Sequence, residues 1–441
     1  MALGDVIMND TDGNISNNTS TSTEKVCGML FDISKQENFW TKGAGLALAE
    51  TLKDSVVELN SLDDAVKLGI TEYTGEVDSE DVSKDLLMGI PYYHIKHFFT
   101  LAGGSGRLFI AFADCGSNWN AIVDMQKAAH GVINQLGVWT EKNLWKITDE
   151  AAPTYSIQIV KDLQSVAEDL AKSYNSPLSI LLSANSAKVA TMSDANLKVT
   201  MSMIPSCIVD SRYVTVLLGQ GLDADVTAMQ CGLDSCTPVG TVGASLGCLA
   251  IASVAESFAW VQEFDLIGCF PDIEMGFGDA TLVDVHMTST TKYSSLSASQ
   301  LDNLDDLGYV FLIKYNGLEG HIYFSKDKTC SNGDYRTISR NRVINKSRRS
   351  VRNALLPYVN SPIKVDPSTG YLSAAQRTIF ENKVSDILKA METAEEISGY
   401  SVSVPTNQNV LTNDTVIIKY TIVPIGTATT IEVTEGLSIK K

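Results

Sequence analysis

The stretch RVINKSRRSVRNALLPYV, Arg342 to Val359, departs most sharply from the rest of the chain. From Arg336 to Arg352 there are seven basic residues and no acidic one, in a protein whose formal net charge is -18. At about 100° per residue, Val343, Ile344, Ser347, Val351, Ala354 and Leu355 share one side of a helix. Arg342, Lys346 and Arg349 fall on the other. The spacing predicts an amphipathic helix, ended by Pro357, with a cationic stripe. Two readings stand: a solvated face balanced by the chain's own acids, or a docking helix for an acidic protein surface.

Downstream, Asp366-Pro367 and Ser368-Thr369-Gly370 mark a turn. A second helix follows, opened by Ser373 with Gln376 three residues on. Phe380, Val384, Ile387, Leu388 and Met391 form its apolar stripe, and Gly399 stands where a C-terminal cap is wanted. The end is β-type: Thr415 to Val423, a break at Pro424-Ile425-Gly426, then Thr429 to Val433 and Leu437 to Lys441. Upstream, Gly308–Tyr315 and Gly320–Phe324 read as two strands joined by a Gly-containing turn.

Further back, strands and helices alternate. VCGMLFDI from Val26, Arg107–Ala113, Leu178–Ser183 and Tyr213–Leu218 read as strands. Helical patterns cover Gly45–Asn60, Asp63–Leu68, Asn120–Leu136, Ile157–Lys172 and Val242–Gln262. The alternation predicts an α/β region, a sheet covered by helices. The chain opens with a short apolar segment, Ala2 to Met8, and a polar run, Asn9 to Lys25, that cannot bury a core. The expected divisions are an N-terminal arm and linker (1–25), a small region (26–98), a central or outer α/β domain (99–285), a C-terminal core (286–411) and a β arm (412–441).

Apolar residues make up 44% and charged residues 20%, typical of a globular protein. The acidic balance argues against nucleic-acid and anionic-membrane binding, which need clustered positive charge. MALGDVIMND carries no basic n-region and no long apolar run, so no secretory signal is expected. Leu246–Val261 contains Glu256 and only short apolar runs, so a buried globular helix is expected there. The eight cysteines show no CxxC spacing and are expected to be free thiols of a reducing cytosol.

Catalytic-looking motifs do not survive inspection of their context. Gly243-Ala-Ser245-Leu-Gly247 matches a nucleophile elbow, but Thr237-Pro238-Val239-Gly240 makes a poor preceding strand. It reads instead as a helix start whose small residues allow close approach. Gly219-Gln-Gly221-Leu-Asp-Ala224 resembles a dinucleotide fingerprint without the acidic residue about 20 positions on. Gly103-Gly104-Ser105-Gly106-Arg107 lacks the Lys-Ser/Thr pair of a phosphate loop. His94 and His97 have no second His/Cys pair near them in sequence to complete a zinc site. Asp302, Asp305 and Asp306 read as a solvated face. No catalytic, cofactor or metal residue is assigned.

The succession from Arg342 resembles the C-terminal part of contractile tail sheath proteins: the basic helix, the Ser368-Thr369-Gly370 loop, the amphipathic helix and the closing SVSVPTNQNVLTNDTVIIKYTIVPIGTATTIEVTEGL. The Pro-Gly-interrupted VPIGTATTIEV, Val423 to Val433, is the most telling piece. Leu3-Gly4-Asp5-Val6 also resembles the start of this family. The resemblance implies a mixed α/β (α+β) chain whose core is built from N- and C-terminal segments, with a central α/β domain inserted and extended terminal arms. It implies subunits that stack with themselves around an inner tube, exchange arms with neighbours, meet baseplate and tail terminator proteins, and contract to drive the tube through an envelope. Assembly in bacterial cytoplasm into a virion tail or phage-like particle is expected, without cofactor, nucleic acid or direct membrane insertion.

The expected arm residues are Leu3, Val6, Ile7, Thr429, Ile431, Val433, Leu437 and Ile439; the expected tube-docking residues are Arg342, Lys346 and Arg349. One point stands on physics alone. A short apolar segment behind a polar linker needs a sheet edge, which β-augmentation supplies. Head-to-tail pairing of that kind propagates into rings or helices. The competing expectations are a soluble α/β enzyme or ligand-binding protein, and another tail or capsid structural protein.

Overall fold

Val26–Asp32 (β1) is buried along its whole length, the signature of a strand covered on both faces. In the computed structural model, which describes residues 23–35, 46–75, 82–103, 106–142, 144, 146–147, 155–183, 204–232, 238–278 and 290–437, β1 lies inside an eight-stranded sheet. The other strands are β2 (Val56–Leu59), β3 (Arg107–Ala113), β4 (Gln135–Trp139), β5 (Ser179–Ser183), β6 (Val214–Leu218), β7 (Val310–Ile313) and β8 (Tyr323–Phe324). Their order is β8-β7-β6-β5-β4-β1-β3-β2. The six strands from β7 to β3 run parallel. β2 and β8 close the edges antiparallel.

Alternate residues of β1 enter two cores. Cys27, Met29 and Phe31 pack with the helices α1 (Val82–Ala102) and α4 (Val242–Ile251). Val26 and Leu30 pack with α2 (Asn120–Ala128) and α3 (Gln158–Lys172) on the other face. The fold is therefore mixed α/β, a sheet with helices on both sides.

α1 and α4 cross closely because of two glycines. A Cβ on Gly243 would sit 2.1 Å from the backbone oxygen of His94, and one on Gly247 would sit 2.8 Å from Leu101 Cβ. This is the expected role of the small residues in the Gly243–Gly247 motif.

Several boundaries differ from expectation. Gly45–Asn60 yields only the short helix Leu46–Ala49 before β2, because Val56–Leu59 pairs with the open edge of β3. The Asn120–Leu136 pattern is cut by His130 and Gly131, both at positive φ, and its end becomes β4. The Val242–Gln262 pattern is helical only to Ile251. The single sheet takes strands from all three segments that the expected divisions at 98/99 and 285/286 separate.

The C-terminal region is a separate layer. α5 (Ile338–Leu355) packs on α6 (Ala374–Thr393), and β9 (Ile397–Ser403) pairs antiparallel with β10 (Lys419–Pro424). Val343, Val351, Val384, Leu388, Met391 and Ile397 form its core, joined by Tyr400, Val402, Tyr420 and Ile422 from one face of the hairpin. Ser373 Oγ accepts from the Gln376 amide as expected of a cap. Gly399 lies within β9, and Glu395 (φ 56°) supplies the left-handed residue after α6 instead.

Candidate functional site

The basic helix shows why its charges matter. Thr337 caps α5, its hydroxyl accepting from the Arg340 amide, and the buried Asp327 carboxylate accepts from the Ile338 and Ser339 amides at 2.9 and 3.1 Å. Anionic groups at a helix N-terminus satisfy its orphan donors. Burial pushes the Asp327 carboxyl up, against the lowering effect of those hydrogen bonds.

One turn on, Arg342 is 1% exposed. Its guanidinium donates to the carbonyls of Leu249 (3.0 Å), Ala252 (3.1 Å) and Ser253 (3.0 Å), capping the C-terminal end of α4. Burial lowers its pKa, opposed by neighbouring acids. Lys346 pairs with Glu396 just after α6. Arg349 makes a two-pronged pair with Glu24 and donates to the Pro177 carbonyl at 2.9 Å.

The stripe expected to face solvent or a tube is therefore turned inward. A helical wheel assumes one buried side, whereas α5 lies between two layers. Its apolar residues meet α6, and its cations meet the sheet domain and Glu396. The cations of α5 left exposed are Arg348 and Arg352.

Of the expected arm residues, Leu3, Val6, Ile7 and Ile439 lie outside the described residues. Thr429, Ile431, Val433 and Leu437 are described, and no strand forms from 425 to 437. Ile431 is 80%, Val433 83% and Leu437 fully exposed, so among the described residues no strand edge receives them. Close by in sequence, β9 and β10 pair only with each other among the described residues, leaving one edge of each strand open.

The catalytic-looking groups are packed into the fold. Ser245 lies inside α4, fully buried, with Oγ donating to the Val242 carbonyl at 2.8 Å. His94 Nε2 lies 2.9 Å from the Val239 carbonyl, and its Nδ1 accepts from the Gly243 amide at 3.3 Å. Desolvation depresses His94 to about 4 and His97 to about 3. Among the described residues, no group of three or more His, Cys, Asp or Glu is gathered as a metal site, and six cysteines are free and buried. No helix among them is long and apolar enough to cross a membrane.

Parallel sheets of this kind bind ligands at the carboxyl ends of the strands, where the strand order reverses. Counting only the parallel strands along the chain, the order is 2-1-3-4-5-6, so the reversal falls between β1 and β4. Asp32 and Lys142 meet at that point. Asp32, the last residue of β1, accepts from Thr140 Oγ1 at 2.7 Å and from the Ser34 and Cys115 amides. Lys142 Nζ sits 3.1 Å from Asp32 Oδ2, donates to the Gly116 carbonyl and stands 4.6 Å above the Trp119 ring. The chain's own ammonium occupies the place where such folds take a ligand. Nothing in the sequence pattern marks Asp32 and Lys142, which are far apart along the chain and meet only across the sheet.

The architecture is one known from contractile assemblies. A chain of the anti-feeding prophage helical sheath in its contracted state superposes with a TM-score of 0.55 at 11% identity, covering 99% of this chain and 100% of that one. A chain from the sheath complex of the extracellular contractile injection system PVC, also contracted, gives 0.55 at 10% identity over 100% and 99%. A chain in the six-fold symmetrised anti-feeding prophage baseplate gives 0.54 at 12% over 100% and 99%. At these identities the likeness shows a shared fold. In sequence, the DUF2586 N-terminal domain matches residues 3–328 and the DUF2586 C-terminal domain matches 334–441, so the chain belongs to the DUF2586 family. The break between the two matches falls between the sheet domain and α5. No curated protein matches the chain.

Proposed function

We propose that this chain is the subunit of a contractile sheath, a structural protein that polymerises around an inner tube and drives it through a target envelope. The observation that carries this is the pairing of a sheath-type fold with an exposed, alternating apolar tail, residues 425–437, next to an open-edged strand pair. An isolated strand with Ile431, Val433 and Leu437 in water is stabilised by adding to another chain's sheet edge. Because donor and acceptor are different surfaces, the contact is heterologous and extends into rings or a helix. The N-terminal segment with Leu3, Val6 and Ile7 is a second donor of the same kind.

A structural role without catalysis is supported by the packed state of Ser245 and His94 and by the Asp32–Lys142 pair at the strand ends. The partners in this reading are other copies, the inner tube, and the baseplate and terminator proteins at the two ends, in a virion tail or phage-like particle assembled in bacterial cytoplasm. Tube recognition through Arg342, Lys346 and Arg349 is not part of it, since those side chains join the two domains.

Deleting residues 429–441 tests the proposal. The expected product is a folded monomer that forms no tubes or rings by electron microscopy under conditions where the full chain does. Normal tubes from the truncated chain would sink it.

A further inference from the structure

A cavity of about 230 Å³ opens at the seam between the two domains, lined by Glu168, Ala171, Lys172, Arg212, Tyr213 and Arg348. Three cations face it against one carboxylate, in a chain with 52 acidic and 34 basic residues. Each wall is fixed differently. Lys172 and Glu168 lie one turn apart on α3 and are paired at 2.6 Å. Hydrogen bonds from Lys172 and Gln164, and the nearby charge of Arg212, hold the Glu168 carboxyl below its ordinary range.

Arg212 lies against the rings of Tyr213 (4.5 Å to the centroid) and Tyr335 (4.3 Å), and it donates to the Tyr213 hydroxyl. Two ring contacts and a hydrogen bond hold the guanidinium in place. Arg348 comes from α5 and, unlike Arg342 and Arg349 beside it, makes no hydrogen bond or ion pair among the described residues. Beside the recess, Arg349 ties α5 to the sheet domain through Glu24 and the Pro177 carbonyl.

From this geometry we propose that the recess is a socket for an Asp or Glu side chain presented by a second copy of the chain. The inference rests on the sheath reading. A preformed guanidinium with a second, unengaged one beside it suits a carboxylate, which takes paired N–H donors. The acidic balance makes another copy the surface richest in matching groups, and a socket-and-carboxylate contact is heterologous, as a propagating lattice requires. The volume admits an acidic side chain with part of its backbone, more than a small inorganic anion fills.

The test uses the full chain. Arg348→Glu changes an exposed residue and should leave the melting temperature of the monomer unchanged. It should raise the critical concentration for polymerisation about tenfold or more, with Arg348→Lys intermediate. Polymer formed from mixed ¹⁴N- and ¹⁵N-labelled copies and treated with a zero-length carbodiimide should give an intermolecular Lys172–carboxylate cross-link absent from monomer. Normal polymerisation of Arg348→Glu, or only the intramolecular Lys172–Glu168 cross-link in polymer, would overturn the socket. Failure of the wild-type chain to polymerise at all would instead overturn the sheath reading beneath it, so the two failures are distinguishable.

Discussion

The sheet domain and the last forty residues treat their polar and apolar groups in opposite ways. In the sheet domain several buried charged or polar groups have partners inside the chain: Asp32 has Lys142 and Thr140, His94 has Val239 and Gly243, and the end of α4 has Arg342. From Lys419 onward the chain does the reverse. It extends Val423, Ile431, Val433 and Leu437 into water while β9 and β10 keep unpaired edges. On the proposed reading the first region is the scaffold and the second meets its needs in another copy of the chain. Function in this chain is therefore sought at the tail and the seam, and not in the strand-end crevice where α/β enzymes place it.

The largest effect expected within the scaffold is acid loss of stability. His94 and His97 have folded-state values of about 4 and about 3, below the ordinary 6.5. Their contribution is intact above pH 6.5 and is lost as pH falls towards those values. By pH 4 each withdraws about 3 kcal/mol. Urea titrations at pH 7 and pH 4.5 should show the drop, reduced in a His94→Gln variant; equal stability at the two pH values would mean the pair is not buried.

Next is the seam. Arg342→Met leaves three carbonyls, two of them buried, without their donor and should cost about 3–5 kcal/mol. Calorimetry should show a lower melting temperature, and limited proteolysis should release the region after residue 328; no change would mean the two domains are held elsewhere. Charge reversal of Arg342, Lys346 and Arg349 should likewise give an unstable monomer, not a stable one that merely fails to bind a tube.

Gly243→Ala follows, at about 3 kcal/mol, because the new methyl meets the backbone of His94, which cannot yield as a side-chain tip can. Smallest in stability is the tail. Ile431→Asp with Val433→Asp should change monomer stability by less than about 0.5 kcal/mol, as exposed positions do, while abolishing polymer seen by sedimentation. A large stability loss from this pair would dissolve the contrast between scaffold and tail.

The sequence made much of this legible, and the failures have physical causes. β1, β5 and β6 announce themselves as short apolar runs, and α6 through its stripe and Ser373. α1 escaped because PYYHIKHFF is apolar on all sides around Pro91, so no amphipathic period stands out. β2 was hidden in a helical pattern because its pairing with β3 is a tertiary fact. The basic helix was found but its charges were assigned to solvent or to a docking surface on the tube, since one-dimensional periodicity cannot reveal a second layer. Thr429–Val433 reads as a strand and forms none in the single chain, as the proposed arm exchange requires.

The most direct test of the central claim is the structure of the polymer by cryo-electron microscopy. The account predicts residues 425–437 in main-chain register with the open edge of β9 or β10 of a neighbouring copy, with Ile431 and Val433 buried. A well-ordered polymer in which that tail folds back on its own subunit, or projects freely into solvent, would contradict it.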